Sequence, residues 1–425
     1  MKVSCVWTIG LALAASSIGA GSARALNAPQ KLHHSRTTEP HLTETHRTAS
    51  HHIVRSASSS SRAGVHTIHA AVATGSGAHL RRASLTVHHR YYERFTASSI
   101  VDGTVGEGDI TAGEDPVIRQ AAIDALGDVN GTAVVIDPSN GRILAMVNQK
   151  LALSPGAEPC STIKLTVAMA ALSEGIVTRD TMVKLAGFRM NMTQALAHSN
   201  NLYFEELGRE LGFERVRHYA TEFGLGELAG YHIEGEQLGE YPDHEIPLAD
   251  GGVGRMCSFG QGVSLTPLQL GAFVASIANG GTLYYLQHPT TQEEAADFQP
   301  RVKRTLDIAR YTPEMLDGMA GAVEYGTARR LRANFQQFPV FGKTGTCSND
   351  GTRYGWFASY SSSPQGSLVT VFFLEGGRPV FGPRAAELTG EFYKNLWDRD
   401  YFRTRNQEAQ SDAGAVTATP VGATQ

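Results

Sequence analysis

The sequence predicts an α+β fold: an antiparallel sheet built from both ends of one domain, flanked by helices, with an all-α lobe inserted between its strands. Three observations support this prediction. Two β-rich runs lie early in the ordered region, three more lie late, and the stretch between them contains long segments without helix breakers. We expect the functional site at the seam between the sheet and the lobe, because sites commonly form where two such units meet.

Length and charge narrow the range of functions. The chain of 425 residues, 41% hydrophobic, is long enough for one large domain or two modest ones with a buried core. Its formal net charge of -4 gives no basic bias, which argues against a nucleic-acid partner.

The N-terminal segment has the features of a secretory signal peptide. Lys2 precedes an apolar run over residues 3–20, and residues 22–25 end in a small-x-small pattern at Ala25. We expect residues 1–25 to be cleaved after Ala25; an uncleaved anchor is the alternative, since the apolar run has the length of a short membrane span. In both cases we expect an exported protein, periplasmic or attached to the outer face of the inner membrane.

Low-complexity segments flank the predicted domain, which covers residues 90–405. Residues 26–89 are rich in Ser, Ala, Thr, Arg and His and have few large apolar side chains, so they predict a linker. The linker contains 11 of the 16 histidines, but they are scattered without metal-ligand spacing, so we predict no metal site. The polar residues 406–425 predict a disordered tail.

The domain begins with a helix and a hairpin. Asp115-Pro116 is typical of a helix start, and Gly127 ends the apolar helical pattern. Two β-rich runs, 132–136 and 142–147, surround an Asp-Pro-Ser-Asn-Gly turn and predict antiparallel strands.

The middle of the chain predicts helices and its later part predicts strands. Four segments have helical patterns without breakers: 161–172, 193–211, 266–278 and 312–328. Three later runs are typical of strands: 339–346, 354–360 and 368–374. A final amphipathic helix is predicted over 384–397.

The first chemical motif is Ser161-Thr162-Ile163-Lys164. Residues three apart at the start of a helix lie on one face, so the amine of Lys164 can reach the hydroxyl of Ser161. A serine needs such a base to become a nucleophile, and a lysine can be that base if burial and nearby cations lower its pKa. Alone, the pattern is more typical of an N-cap serine with a surface lysine.

Two further motifs follow. Ser199-Asn200-Asn201 alone is typical of a capping turn. Lys343-Thr344-Gly345-Thr346 lies on a strand-like run, where Lys343 offers a charge and the threonines offer hydroxyls to a substrate carboxylate. Because Gly345 has no side chain, a substrate backbone could lie close against this strand and extend the sheet.

Together, and in this order, the three motifs form the set found in penicillin-binding proteins and related β-lactamases. Ser199 follows Ser161 by 38 positions and Lys343 follows Ser199 by 144. Over about residues 130–396 the chain resembles the transpeptidase domain of class B penicillin-binding proteins. The resemblance extends to three further stretches: the early hairpin, the Ser-Phe-Gly-Gln-Gly stretch at 258–262 and Gly355-Trp356-Phe357. The gap of 38 residues is shorter than is typical of class B, and residues 26–89 predict only a linker where that class typically has a folded pedestal.

The resemblance implies a serine-type D,D-transpeptidase that acts on peptidoglycan stem peptides. Ser161 would attack the carbonyl of the penultimate D-alanine and expel the terminal one, while Lys164 takes the serine proton. Ser199 would pass a proton to the leaving nitrogen, and Asn201 would bind the substrate amide and steady Lys164.

The resemblance also implies how the substrate is held. Lys343, Thr344 and Thr346 would bind the substrate carboxylate, and the backbone N–H groups of Ser161 and Thr346 would form the oxyanion hole. β-Lactams would mimic the acyl donor. Cell-wall synthesis proteins are the expected class of protein partner, and the chemistry requires no cofactor or metal.

Three cysteines remain beyond the predicted signal peptide: Cys160, Cys257 and Cys347. An odd number outside the cytoplasm predicts at least one free thiol or one bond between chains. The simplest interpretation is three small buried residues. A disulfide or a redox-sensitive site is the alternative.

Three other functions fit parts of the pattern. A D,D-carboxypeptidase would use water as the acyl acceptor. A serine β-lactamase would share the first and third motifs, but no stretch supplies the extra glutamate of the class A enzymes. A non-catalytic sensor or scaffold would bind without turnover, and the presence of every catalytic residue argues against it.

Overall fold

The computed structural model describes residues 66–70, 83–87, 94–363 and 366–403. The predicted signal peptide, the tail and most of the predicted linker therefore lie outside the described residues. Within the linker, β1 (His66–Ala70) pairs antiparallel with β2 (Ala83–Val87). The low-complexity composition of residues 26–89 did not predict these two strands of five residues.

Helices form much of the chain between residues 116 and 398. The α-helices are α1 (Pro116–Leu126), α2 (Gln149–Ala152), α3 (Lys164–Ser173), α4 (Met192–Ala197), α5 (Asn201–Leu211), α6 (Phe213–Glu222), α7 (Gly252–Phe259), α8 (Pro267–Ala278), α9 (Gln292–Ala296), α10 (Thr312–Glu324) and α11 (Gly382–Asp398). Short 3-10 helices cover Cys160–Ile163, Leu248–Asp250 and Arg329–Ala333.

The main sheet confirms the predicted α+β class. The remaining strands are β3 (Gly131–Ile136), β4 (Ile143–Val147), β5 (Val183–Leu185), β6 (Phe188–Met190), β7 (Thr282–Tyr284), β8 (Val302–Thr305), β9 (Val340–Asn349), β10 (Thr352–Ser361) and β11 (Val369–Gly376). Five of them form one antiparallel sheet in the order β4-β3-β11-β10-β9. The sheet therefore joins strands from both ends of the domain and leaves β9 at its edge.

The sheet is covered on both faces because alternate side chains point to opposite sides. On β3, Val134 and Ile136 join the core shared with the inserted helices, whereas Ala133 and Val135 join the core shared with α1 and α11. The largely apolar and completely buried pattern of β3 and β4 follows from this double burial.

The inserted lobe is not all helical, which corrects the prediction. Two short hairpins, β5 with β6 and β7 with β8, lie between the helices. Their strands have three or four residues each and are partly exposed, so they carry no hydrophobic alternation that the sequence could reveal.

Several helix boundaries follow the predicted signals. Asp115 caps α1 by accepting from the backbone N–H groups of Val117 and Ile118, and Gly127 follows its last residue. Thr266 and Gln269 form a capping box at the start of α8.

Two helix predictions need correction. The helix predicted over 312–328 ends at Glu324. The helix predicted over 193–211 is two helices, α4 and α5, separated at residues 198–200. Ser199 has a φ of 55° there, in the left-handed region, which a continuous α-helix cannot accommodate.

No helix in the described parts of the chain is both long and apolar enough to cross a membrane.

Candidate active site

The first motif lies on a tight turn that opens α3. Cys160–Ile163 form a 3-10 helix and Lys164 begins the α-helix. Side chains three residues apart eclipse each other in a 3-10 helix. This geometry brings Nζ of Lys164 to 2.7 Å from Oγ of Ser161, the contact that the spacing predicted.

Lys164 follows the turn at residues 159–163, which carries the predicted nucleophile Ser161 and is called the nucleophile turn below. The side chain of Lys164 is fully buried. Besides Ser161, its Nζ contacts Oδ1 of Asn201 at 2.8 Å and the backbone carbonyl of Ser258. Burial lowers the pKa of Lys164 well below its ordinary value, and the nearby charge of Lys343 lowers it further, against a smaller opposing effect of Glu205. A lysine in this environment is an acceptor for a serine proton.

The second motif lies at the break between α4 and α5. The left-handed Ser199 turns the chain, and Asn200 then caps α5 by accepting from the backbone N–H of Tyr203 at 3.0 Å. As a result Ser199 and Asn201 both reach buried lysines: Oγ of Ser199 lies 2.8 Å from Nζ of Lys343, and Asn201 contacts Lys164.

The third motif lies on the edge strand β9. Lys343 is fully buried, and its Nζ also donates to the carbonyl of Thr344 at 2.9 Å. Burial lowers the pKa of Lys343 to about 7. A carboxylate bound nearby would favour the charged form and raise this pKa again.

The two threonines of the third motif have partners on the opposite side of β9 from Lys343. The hydroxyl of Thr344 donates to Oγ1 of Thr327 at 2.6 Å, and Oγ1 of Thr346 accepts from the backbone N–H of Gly382 at 2.8 Å. The sequence did not identify Thr327 or Gly382, because neither belongs to a motif and only the tertiary structure brings them to β9. The carbonyl of Ser258, the partner of Lys164, was missed for the same reason.

The surroundings of Gly345 give a further reason for a glycine at this position. A Cβ atom at this position would lie 2.8 Å from the carbonyl oxygen of Pro159 and 3.1 Å from Cγ2 of Thr162. The space that a side chain would need is therefore occupied by the nucleophile turn. The glycine permits β9 to pack against the turn that carries Ser161.

The cysteines also differ from the simplest interpretation. Cys160 and Cys347 form a disulfide with a Cα–Cα distance of 5.5 Å, whereas Cys257 is a buried free cysteine. Three cysteines allow three pairings, and the sequence could not choose among them. The bond joins the nucleophile turn to β9 directly.

The predicted site residues thus lie together at the seam between the helical insert and the sheet edge. Both lysines are fully buried, while Ser161, Ser199 and Asn201 are partly exposed and can meet a ligand. Within the described ranges, no group of three or more His, Cys, Asp or Glu side chains is arranged to hold a metal ion. Two neighbouring lysine–serine pairs suit acyl transfer by a serine nucleophile.

Comparisons with known proteins show the family to which the chain belongs. The penicillin binding protein transpeptidase domain family matches residues 131–395. Stage V sporulation protein D of Bacillus subtilis is 30% identical over 258 residues, which cover 50% of this chain and 39% of that protein. The peptidoglycan D,D-transpeptidase MrdA of Acinetobacter baumannii is 25% identical over 401 residues, which cover 74% of this chain and 58% of that protein.

The fold also resembles solved structures. The crystal structure of PBP2 from Pseudomonas aeruginosa, in complex with WCK 5153, superposes with a TM-score of 0.56 at 22% identity. The match covers 67% of this chain and 74% of that one. In sequence, this chain spans only 39% and 58% of the two curated relatives named above.

Proposed function

The chain belongs to the penicillin-binding protein transpeptidase domain family, and we propose that it is a serine D,D-transpeptidase acting on peptidoglycan stem peptides through an acyl-enzyme on Ser161. The observation that carries this proposal is the contact between Ser161 and Lys164. A fully buried amine with a strongly lowered pKa lies 2.7 Å from a partly exposed hydroxyl. This is the arrangement in which a lysine can activate a serine.

Acylation would begin with proton transfer from Oγ of Ser161 to the neutral amine of Lys164. The serine oxygen bonds to the carbonyl carbon of the penultimate D-alanine, and the bond to the nitrogen of the terminal D-alanine breaks. Asn201 keeps Lys164 in place through its 2.8 Å contact and offers its amide to the substrate. The acylation step is balanced when the amine of the departing D-alanine receives a proton.

Ser199 would deliver that proton. Its hydroxyl contacts Nζ of Lys343 at 2.8 Å, so a proton given to the leaving nitrogen can be replaced from the lysine. The positive φ of Ser199 supports this role, because strained backbone tends to persist where function requires a particular orientation.

Lys343, Thr344 and Thr346 would bind the terminal carboxylate of the substrate. Oγ1 of Thr346 accepts from the backbone N–H of Gly382, so the hydroxyl proton of Thr346 is free to be donated to the carboxylate. Thr344 would redirect to the carboxylate the proton that it donates to Thr327. Because β9 is an edge strand, a substrate backbone can pair with it as an added strand. The backbone N–H groups of Ser161 and Thr346 would stabilise the oxyanion.

The acyl-enzyme would then react with an amine from a second stem peptide. Attack by water would instead give carboxypeptidase trimming. We further propose that the chain works outside the cytoplasm, in the periplasm or at the outer face of the inner membrane, because the curated relatives are named for cell-wall reactions and its first residues have the features of an export signal.

The experiment is to incubate the protein with a synthetic stem pentapeptide ending in D-alanyl-D-alanine, with and without a second peptide that carries a free side-chain amine. Mass spectrometry of the products distinguishes a cross-linked dimer from a trimmed tetrapeptide, and Ser161→Ala is the control. We expect D-alanine release and a dimer from the wild type only. Release without a dimer at any acceptor concentration would replace the transpeptidase by a carboxypeptidase, and no release would contradict both.

A further inference from the structure

We propose that the disulfide between Cys160 and Cys347 is a positioning element of the acylation reaction: it holds the two backbone donors of the oxyanion hole at a fixed separation, and the acylation rate falls when the bond is reduced. The inference rests on the proposed function, since it assigns to the disulfide a role in forming the acyl-enzyme on Ser161.

The position of the bond supports this role. Cys160 directly precedes Ser161, and Cys347 directly follows Thr346. The disulfide therefore joins the immediate neighbours of the two proposed donors across a sequence separation of 187 residues. Each donor lies one peptide unit from the covalent link, so a change in the distance between the cysteines moves one donor relative to the other.

Noncovalent contacts also cross this junction. The indole Nε1 of Trp356 donates to the carbonyl of Glu158 at 3.1 Å, and Gly345 packs against Pro159 and Thr162. A hydrogen bond of this kind contributes about 1 kcal/mol, which is little resistance to a shift of an edge strand. The disulfide is the only covalent tie among the described residues of this junction.

The backbone at Cys160 adds a second argument. Its φ of 52° lies in the left-handed region, which costs an L-residue about 1–2 kcal/mol. Such a conformation persists only where the surroundings enforce it. Release of the side chain from Cys347 removes one of those constraints directly before the nucleophile, so the turn that orients the N–H of Ser161 is free to relax.

The expected effect can be bounded. Removal of an entire oxyanion-hole donor slows related reactions by about 10²–10³-fold, and small displacements of reacting groups also reduce rates strongly. We expect the displacement on reduction to lower the acylation rate constant by about tenfold or more, without reaching the loss caused by removal of a donor. Substrate affinity before acylation should change less than the acylation rate, because two of the three proposed carboxylate ligands, Lys343 and Thr344, precede the cross-linked segment on β9.

The bond is open to chemical reduction from one side. Cys160 is fully buried, whereas Cys347 is partly exposed. A thiolate of a small dithiol can attack Sγ of Cys347, which forms a mixed disulfide and releases the thiolate of Cys160. The second thiol of the reagent then closes the reagent's own disulfide and releases Cys347 as a thiol. The reagent loses two electrons and two protons, and the protein gains them.

The test measures benzylpenicillin acylation of the full chain by stopped flow and separates the acylation rate constant from the dissociation constant of the preceding complex. Three samples are compared: oxidised wild type, wild type reduced with dithiothreitol, and the Cys160→Ser/Cys347→Ser double variant. Thiol counting after denaturation verifies that reduction exposes two more thiols. Dithiothreitol added to the double variant is the matched control, because that variant contains no such bond to reduce.

We expect the reduced and double-variant proteins to acylate about tenfold more slowly or worse, with the dissociation constant within about twofold, and reoxidation to restore the wild-type rate. An unchanged rate constant with two additional thiols would overturn the inference, even if the melting temperature falls, because the bond would then be structural only. If the double variant does not fold, reduction of folded wild type decides the matter. Absence of acylation in every sample would instead contradict the proposed function.

Discussion

Nζ of Lys343 lies 2.8 Å from Oγ of Ser199, although the two residues are separated by 144 positions. A second lysine–serine pair, Lys164 and Ser161, lies nearby with Nζ 2.7 Å from Oγ. Both lysines are fully buried, which lowers the pKa of each, and the charge of Lys343 lowers the pKa of Lys164 further. Lys164 is thereby suited to accept the proton of Ser161, and Lys343 is suited to supply a proton, through Ser199, to the leaving group.

The pH dependence of acylation should reflect these two lysines. The pKa of Lys164 is lowered well below 10.5, so the neutral base forms as pH rises through that lowered value, and the rate rises with it. The pKa of Lys343 is lowered to about 7, so its charge is lost as pH rises further, and attraction of the substrate carboxylate falls. The second-order rate of benzylpenicillin acylation should therefore be bell-shaped, with an acid limb far below the ordinary lysine range.

Substitution of Lys343 by Met tests the assignment of the acid limb. Removal of the nearby positive charge should raise the pKa of Lys164 and move the acid limb to higher pH. An acid limb that stays in place in the variant would mean that Lys164 does not control it.

Ser199 should be required for its hydroxyl rather than for its backbone. Because φ is 55° at this position, Ser199→Gly removes the hydroxyl without strain, whereas Ser199→Ala keeps a Cβ in the left-handed region. Both variants should acylate about 10²–10⁴-fold more slowly. In urea unfolding, the free energy of unfolding of the Ala variant should be lower than that of the Gly variant by about 1 kcal/mol. If Ser199→Gly acylates at the wild-type rate, the hydroxyl of Ser199 has no role in the reaction.

Gly345→Ala should damage both the fold and the site. The added methyl would lie 2.8 Å from the carbonyl oxygen of Pro159, so β9 must move away from the nucleophile turn. We expect a loss of about 1–3 kcal/mol in the free energy of unfolding and slower acylation. Chemical denaturation and acylation kinetics measure the two effects.

Gly254→Ala is the matched control for this substitution. Its Cβ would meet nothing closer than 3.4 Å, and it lies within α7, where Ala is favoured over Gly. Stability should be equal or higher and acylation unchanged. Equal behaviour of the two Ala variants would show that contact with Pro159 does not position β9.

Much of the sheet could be predicted from the sequence because β3, β4 and β11 are largely apolar runs bounded by turn residues. The pairing of the early strands with the late strands could be inferred only because the apolar strands from both ends of the domain must be buried together. The short hairpins of the insert and the end of α10 at Glu324 were missed, since they depend on tertiary contacts rather than on local pattern.

The candidate site was predicted more completely than its surroundings. Motif spacing identified Ser161 and Lys164, and their contact follows directly from the 3-10 turn. The break at Ser199 lies inside a stretch predicted as one helix, although Ser199-Asn200-Asn201 is typical of a capping turn and Asn200 does cap α5. The pairing of Cys160 with Cys347 and the contact of Gly345 with Pro159 join distant segments, so no local rule reveals them.

The central claim is that Ser161 is an acylating nucleophile, and intact-mass analysis after exposure to benzylpenicillin tests it most directly. We predict a stable adduct of one antibiotic molecule on the wild type and none on Ser161→Ala, which lacks the oxygen that forms the ester. Consumption of the antibiotic without an adduct would make the protein a β-lactamase. An intact antibiotic with no adduct on the wild type would contradict the account.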